Sequence, residues 1–456
     1  MPQTKIVLIG AGSTIFGVNT LADLFAQRAH LRGSHIALCD VDGARLARIT
    51  RLAERMNAAT DADFKVTSVT DYRDALPGAE FVIVSVEVDR IARWKLDWQI
   101  PQKYGVRHVL GENGGPGGLS HALRTIDLVL GIAREVERLA PDAYLLNFTN
   151  PLARVMLAVT RYTRLKSVGL CHQVNKGYYI VGHVLGLTPH LDAHFPPPQV
   201  ARELKERIDL QTAGLNHVTW IQEIRECATG QDLYPAFRAR LLNFDPTFEP
   251  LSRRLHKAFG LFPATGDDHV GEYFSFAHET SDLKGYDFDK YAATGAALDA
   301  HVDRAITDSD ALKEFLNWES AERAASIVAG IVNDWHSYEV TVNVVNNVAD
   351  PATFAGAALP GLPDWAVVEV PGVVSASGVT PLRVPALPPA ITAALNREAA
   401  IQDRVVEAAV HGDRHAALQA LLLDPLIPSF ADAEKLLDEL LTAHAAALPQ
   451  FNNSPA

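Results

Sequence analysis

The chain is predicted to be an α/β protein, with an N-terminal Rossmann-type doubly wound parallel sheet and a C-terminal α+β domain. Three observations predict it. Lys5-Ile6-Val7-Leu8-Ile9 reads as a buried strand and runs directly into the glycine turn Gly10-Ala11-Gly12-Ser13. Helical periodicity from Ile15 to Ala26 and a second strand, His35 to Cys39, complete a βαβ unit ending in Asp40-Val41-Asp42. After it, strand-like runs (81–86, 143–147, 167–170) alternate with helical ones (44–59, 125–139, 152–163), the pattern of a parallel sheet covered on both faces.

Each element carries a chemical expectation. A glycine turn between a strand and a helix, with a carboxylate at the end of strand two, suits a dinucleotide. The pyrophosphate rests on the helix N-terminus and the carboxylate bonds the ribose. Gly10, Gly12, Ser13 and Asp40 are the cofactor candidates, with Asp42 as a second acidic choice. The third glycine of the usual fingerprint would fall at position 15, which is Ile15. Polar stretches at the ends of later strands converge on the same sheet edge: 87–93, Asn147-Phe148-Thr149-Asn150-Pro151, and Cys171-His172. Ligands bind at that edge in open α/β sheets. The run Gly111-Glu112-Asn113-Gly114-Gly115-Pro116-Gly117-Gly118 is expected to bring backbone close to a ligand just before a helix.

Pro196-Pro197-Pro198 marks a junction, dividing the chain into 1–196, the dinucleotide-binding part, and 197–456, the catalytic and oligomerisation part. A strand, turn and strand follow over 208–221. The segment Thr265-Gly266-Asp267-Asp268-His269-Val270-Gly271-Glu272-Tyr273 then packs five ionisable side chains together. An amphipathic helix is expected over 321–333, proline-punctuated short strands over 371–388, helices over 389–448 and a frayed tail over 449–456.

Composition narrows the function. A net charge of −13 with no basic patch argues against a nucleic-acid partner. No apolar run approaches the ~20 residues that span a bilayer. Residues 1–4 lead straight into a strand, so no leader peptide is expected. The three cysteines (Cys39, Cys171, Cys227) form no disulfide framework, which points to a reducing, cytoplasmic setting.

Taken in order, these motifs resemble glycoside hydrolase family 4, the NAD- and manganese-dependent glycosidases. The resemblance covers nearly the whole chain. It rests on the glycine turn, Gly111-Glu112-Asn113, Asn147-Phe148-Thr149-Asn150-Pro151, Cys171-His172, Gly214-Leu215-Asn216-His217 and Leu362-Pro363-Asp364-Trp365-Ala366-Val367-Val368-Glu369-Val370-Pro371. It implies a C-terminal domain of lactate/malate dehydrogenase-like type, a homodimer or homotetramer, and a glycoside as the small-molecule partner. It implies NAD as cofactor, with Asn147 joining the cofactor residues. It also implies Mn or another divalent transition metal, held by Cys171 and His217, and sugar contacts from Glu112, Asn113, Asn150 and His172. The implied chemistry is net hydrolysis through C3 oxidation by NAD⁺, C2 deprotonation, elimination, water addition and re-reduction. This family is an exception to the two-carboxylate glycosidase scheme. His172 is the candidate acid. Asp267 is the first choice for the base and Asp268 the second; Tyr273 needs a lowered pKa to serve. Phosphosugar-specific members carry Cys-Asp where this chain has Cys171-His172, which implies a non-phosphorylated sugar. An α-galacturonide or α-glucuronide is favoured, with an α-galactoside next. The competing classes are a lactate/malate-type NAD-dependent dehydrogenase and a non-catalytic NAD-binding sensor. The first wants a His–Asp pair and a carboxylate-binding Arg without a thiolate ligand, and the second has no use for polar strand ends.

Overall fold

The computed structural model describes residues 3–451 except 192–195, 282, 319 and 348–355, so the last five residues of the predicted frayed tail lie outside it. Six parallel strands form the N-terminal sheet: β1 Lys5–Ile9, β2 His35–Cys39, β3 Lys65–Val69, β4 Phe81–Val84, β5 Tyr144–Asn147 and β6 Lys166–Gly169. Their spatial order is β3-β2-β1-β4-β5-β6, the order of a dinucleotide-binding sheet. Side chains alternate between two cores. Ile6 and Leu8 of β1 enter one hydrophobic cluster, while Val7 and Ile9 enter the other. Both faces are therefore covered, which is why β1, β2, β4 and β5 are near-continuous apolar runs.

Six further strands extend the sheet: β7 Ile208–Leu215, β8 Val218–Glu226, β9 Phe262–Pro263, β10 Ser337–Val345, β11 Val367–Ser375 and β12 Gly378–Pro381. From β6 the order continues β10-β11-β7-β8-β9, with β12 beside β11. The pairing turns antiparallel at β6–β10. The sheet thus passes without a break from strands before position 196 to strands after it. Helices from the end of the chain close the outer layer of the N-terminal sheet. Pro389–His411 packs on Gly115–Leu139 and Leu152–Tyr162, and the buried Arg154–Glu398 pair (3.2 Å) pins it there. Among the described residues no helix is long and apolar enough to cross a membrane.

Two of the predicted helices differ from expectation. The helix predicted over 321–333 is shorter, Ala324–Val332. The helix predicted from Thr125 starts at Gly115, so half of the glycine run forms its first turn. Residues 111–118 are all buried, so the run is not a surface turn.

Candidate active site

The glycine turn is built for close approach. Gly10 has φ +90°, and a Cβ there would lie 2.0 Å from the Ser85 carbonyl oxygen. The close-packing glycine missing at position 15 is supplied by Gly17, in the first turn of the helix Phe16–Ala26. A Cβ on Gly17 would meet the Ala11 carbonyl oxygen at 2.2 Å. Asp40 stands at the end of β2. Its Oδ2 accepts a 2.8 Å bond from Gly12 N–H, and its Oδ1 accepts one from Asp42 N–H. Asp42 is spent locally, because its carboxylate caps the helix Gly43–Ala58 through Ala44 and Arg45 N–H. Ser13 closes the turn by donating its N–H to Gly10 O. Asn147, expected at the cofactor, is turned inward. It is fully buried, and its amide bonds both backbone groups of Thr149. It shapes the loop that carries Asn150, a half-buried residue at the end of β5, and its side chain is not offered to a ligand.

This turn adjoins the Cys-His motif. The Phe16 ring lies 6.0 Å from Phe148 and 6.5 Å from His172. Cys171 follows β6, and its Sγ lies 3.5 Å from His217 Nε2. His217 sits in the two-residue turn between β7 and β8, in the left-handed region at φ +68°. Such backbone is uncommon for a non-glycine residue and clusters at functional sites. Burial holds the His217 imidazole well below its usual pKa, helped by His269 and His172, so its ring is neutral. Burial, with the charge of Glu369 added, pushes the Cys171 thiol up to about 12. The pair fits one transition-metal ion. Bond lengths of ~2.3 Å to sulfur and ~2.0 Å to nitrogen put two such donors about 3.5 Å apart. Among the described residues no third His, Cys, Asp or Glu completes a ligand cluster. Two protein donors leave positions open for substrate oxygens, as a catalytic ion requires.

His172 points to the other side of the motif, where its Nδ1 lies 3.1 Å from Oε1 of the buried Glu322. Arg323 donates to the Cys171 carbonyl oxygen and pairs with Glu339 at 2.7 Å. The His269 ring stands 4.5 Å from that of His217. Burial works against the His269 imidazolium, yet Asp268 at 3.2 Å, backed by Glu272 and Glu112, carries its pKa up to about 8. Asp268 therefore belongs to this cluster. Asp267, the first choice for the base, does not. Its two oxygens accept the Leu251 and Ser252 N–H bonds at 2.7 Å each, tying off the first turn of the helix Pro250–Phe259. Tyr273 reaches the cluster through its hydroxyl, 3.5 Å from the Asn216 carbonyl oxygen, and burial pushes that hydroxyl well above its ordinary pKa.

The glycine-rich loop closes the site. Glu272 Oε2 accepts three backbone N–H bonds, from Glu112 (2.7 Å), Asn113 (2.8 Å) and Gly114 (3.1 Å). The Glu112 carboxylate is held by Arg90, which also pairs with Glu87 at 2.5 Å, and by the Asn113 amide at 3.1 Å. Arg90, Glu87, Glu272, Glu322 and Glu369 were given no individual role from the sequence. Glu369 alone left a usable signal, a carboxylate inside the apolar strand run Val367-Val368-Glu369-Val370.

Comparison with known proteins shows the family. Residues 5–186 match the family 4 glycosyl hydrolase model, and residues 212–427 match that family's C-terminal domain. An alpha-glucosidase of Erwinia rhapontici is 34% identical, over 96% of this chain and 97% of its own. An alpha-galactosidase of Bacillus subtilis (strain 168) is 30% identical, over 98% of this chain and 99% of its own. In fold, the chain is similar to a 6-phospho-alpha-glucosidase from gut microorganisms solved in complex with NAD and Mn2+. The TM-score is 0.78 at 18% identity, covering 99% of this chain and 100% of that one. The chain belongs to glycoside hydrolase family 4 and is a hydrolase of glycosidic bonds.

Proposed function

We propose that the protein is an α-glycosidase acting on neutral, non-phosphorylated hexosides, α-glucosides first and α-galactosides next, with NAD and a divalent cation such as Mn2+. The observation that carries the reading is the Cys171–His217 donor pair, 3.5 Å apart and next to the glycine turn. A bare dehydrogenase site has no use for a thiol there. When bound, NAD exchanges a hydride with the sugar C3 and the cation polarises the neighbouring sugar oxygens.

The chain's own residues supply the rest. Asp40 accepts the ribose hydroxyls. Glu112, kept rigid by Arg90 and Asn113, accepts sugar hydroxyls beside Asn150. Asp268 takes the C2 proton, with the imidazole of His269 fixing its carboxylate at 3.2 Å. His172 protonates the departing glycosidic oxygen, its Nδ1 held by Glu322 so that Nε2 faces the substrate.

The preference for a neutral sugar departs from the uronide expected on motif grounds. A hexuronate needs a cation to meet its carboxylate. The cations around this site already have carboxylate partners: Arg90 with Glu87 and Glu112, Arg323 with Glu339, and Lys176 with Glu249. The alpha-glucosidase and alpha-galactosidase relatives support the same choice. Nitrophenyl α-glucoside, α-galactoside and α-galacturonide, assayed with NAD⁺, Mn2+ and reductant and with each omitted in turn, test it. Cleavage of a neutral hexoside that needs all three additions is expected. Turnover of the uronide alone overturns the sugar assignment, and turnover without NAD⁺ or Mn2+ overturns the mechanism.

A further inference from the structure

Glu369 is 1% exposed and forms no ion pair among the described residues. Neutral groups surround its carboxylate. Asn216 Nδ2 and Asn343 Nδ2 donate to Oε2 at 2.7 and 3.1 Å, and Thr219 Oγ1 lies 3.0 Å from Oε1. A buried carboxylate without a cation is costly unless a positive charge stands within reach. The sheet register says where that charge belongs. Gly169 of β6, Asn343 of β10, Glu369 of β11 and Gly214 of β7 form one row across four adjacent strands. Beyond this row, β6 continues to Cys171, and β7 continues to Asn216 and His217. Glu369 thus lies directly beneath the donor pair. Asn216 joins the two layers: its amide donates to Glu369 Oε2 at 2.7 Å, and the same side chain stands close enough to the Cys171 thiol to favour its thiolate.

We infer that Glu369 is a positioning residue of the cation site: through Asn216 it orients the Cys171 sulfur, and its charge balances a divalent ion held by Cys171 and His217. The inference rests on the proposed cation at that pair. With the ion bound, its two positive charges face one thiolate and one carboxylate. Outer partners of this kind fix ligand orientation, and losing one weakens metal affinity by ~10- to 100-fold.

Titration of the full chain with Mn2+ under reductant, followed by the EPR signal of the free ion, tests this without any turnover. Wild type should bind Mn2+, and Cys171→Ser should lose that binding. Glu369→Gln should raise the Mn2+ Kd by ~10- to 100-fold, and Glu369→Asp, which keeps the charge, should recover most of the loss. The NAD affinity of both variants should stay at the wild-type value, which a merely damaged fold would not allow. Should Glu369→Gln fail to fold, Asn216→Ser carries the test, since it removes the link and leaves the buried charge; it should weaken Mn2+ by ~10-fold or more. A wild-type Mn2+ Kd in Glu369→Gln, or in Asn216→Ser where that variant carries the test, overturns the inference and leaves the cation site standing. A Cys171→Ser protein that binds Mn2+ like wild type overturns both.

Discussion

At the residue scale, two neighbouring aspartates have different occupations. Asp267 ties off a helix start, whereas Asp268 sits against His269 beside the Cys171–His217 pair. Asp267→Asn should cost about 1 kcal/mol of stability, the usual size of a lost cap, and leave proton exchange at the sugar C2 intact. Asp268→Asn should lose that exchange, because an amide cannot take the proton, and should lower the melting temperature below about pH 8, where His269 loses its ion-pair partner. Thermal melts together with NMR of product formed in D₂O separate the two. Cys171→Ser and His217→Ala should each abolish Mn2+-dependent cleavage, while NAD affinity, measured by calorimetry, stays unchanged. Loss of NAD binding in either would place these side chains in the cofactor pocket instead.

At the element scale, the turn from β1 to its helix is the clearest case of shape specifying a residue. Gly17 touches the Ala11 carbonyl, so Gly17→Ala must push the phosphate-binding turn out of place. NAD affinity should fall by ~10-fold or more, as a displacement of about 1 Å does to a positioned ligand, and calorimetry reads it directly. The position was obscured because the turn here is longer than the usual spacing. Strands β1, β2, β4 and β5 are legible because burial on both faces makes them continuous apolar runs. The edge strand β3, Lys65-Val66-Thr67-Ser68-Val69, was missed because its exposure leaves no such run. The first ten residues of the helix from Gly115 are not legible in the sequence, since glycine and proline argue against a helix locally. Its start is held from a distance, by Glu272 on the N–H groups of Glu112, Asn113 and Gly114. The same distinction runs through the site. Cys171, His217 and Asp40 stand at strand ends and turns, where local pattern points to them. Glu322 and Glu369 reach the site by pairings some 150 residues apart in sequence; of the two, only Glu369 is marked locally, as a carboxylate inside an apolar strand run.

At the scale of the whole molecule, one sheet runs through both halves, and buried acids set its response to pH. Burial raises Asp23 to about 8, and Asp424 and Glu272 to about 7 each. Each favours its neutral form in the fold, so its contribution is complete below the unfolded value of ~4 and is lost as pH rises through the folded one. His269, also raised to about 8, has the same sign: its contribution is complete below ~6.5 and lost as pH passes the folded value. Glu87 acts oppositely. Burial opposes its charge, but Arg90 and His121 hold it down to about 2, so its contribution is present above ~4.3 and lost only in acid. The melting temperature of the protein free of NAD and metal should therefore fall as pH rises through 7 and 8, followed by calorimetry. A rise over that window would mean these carboxyls ionise freely in the fold. The central claim is that hydrolysis proceeds through the sugar C2 proton, using the Cys171–His217 donor pair for one cation and a dinucleotide turn in place of two flanking carboxylates. Cleavage of an α-glucoside in D₂O, with NMR or mass analysis of the released glucose, tests it most directly. The account predicts deuterium at C2 of the product, and glucose released with only hydrogen at C2 would contradict it.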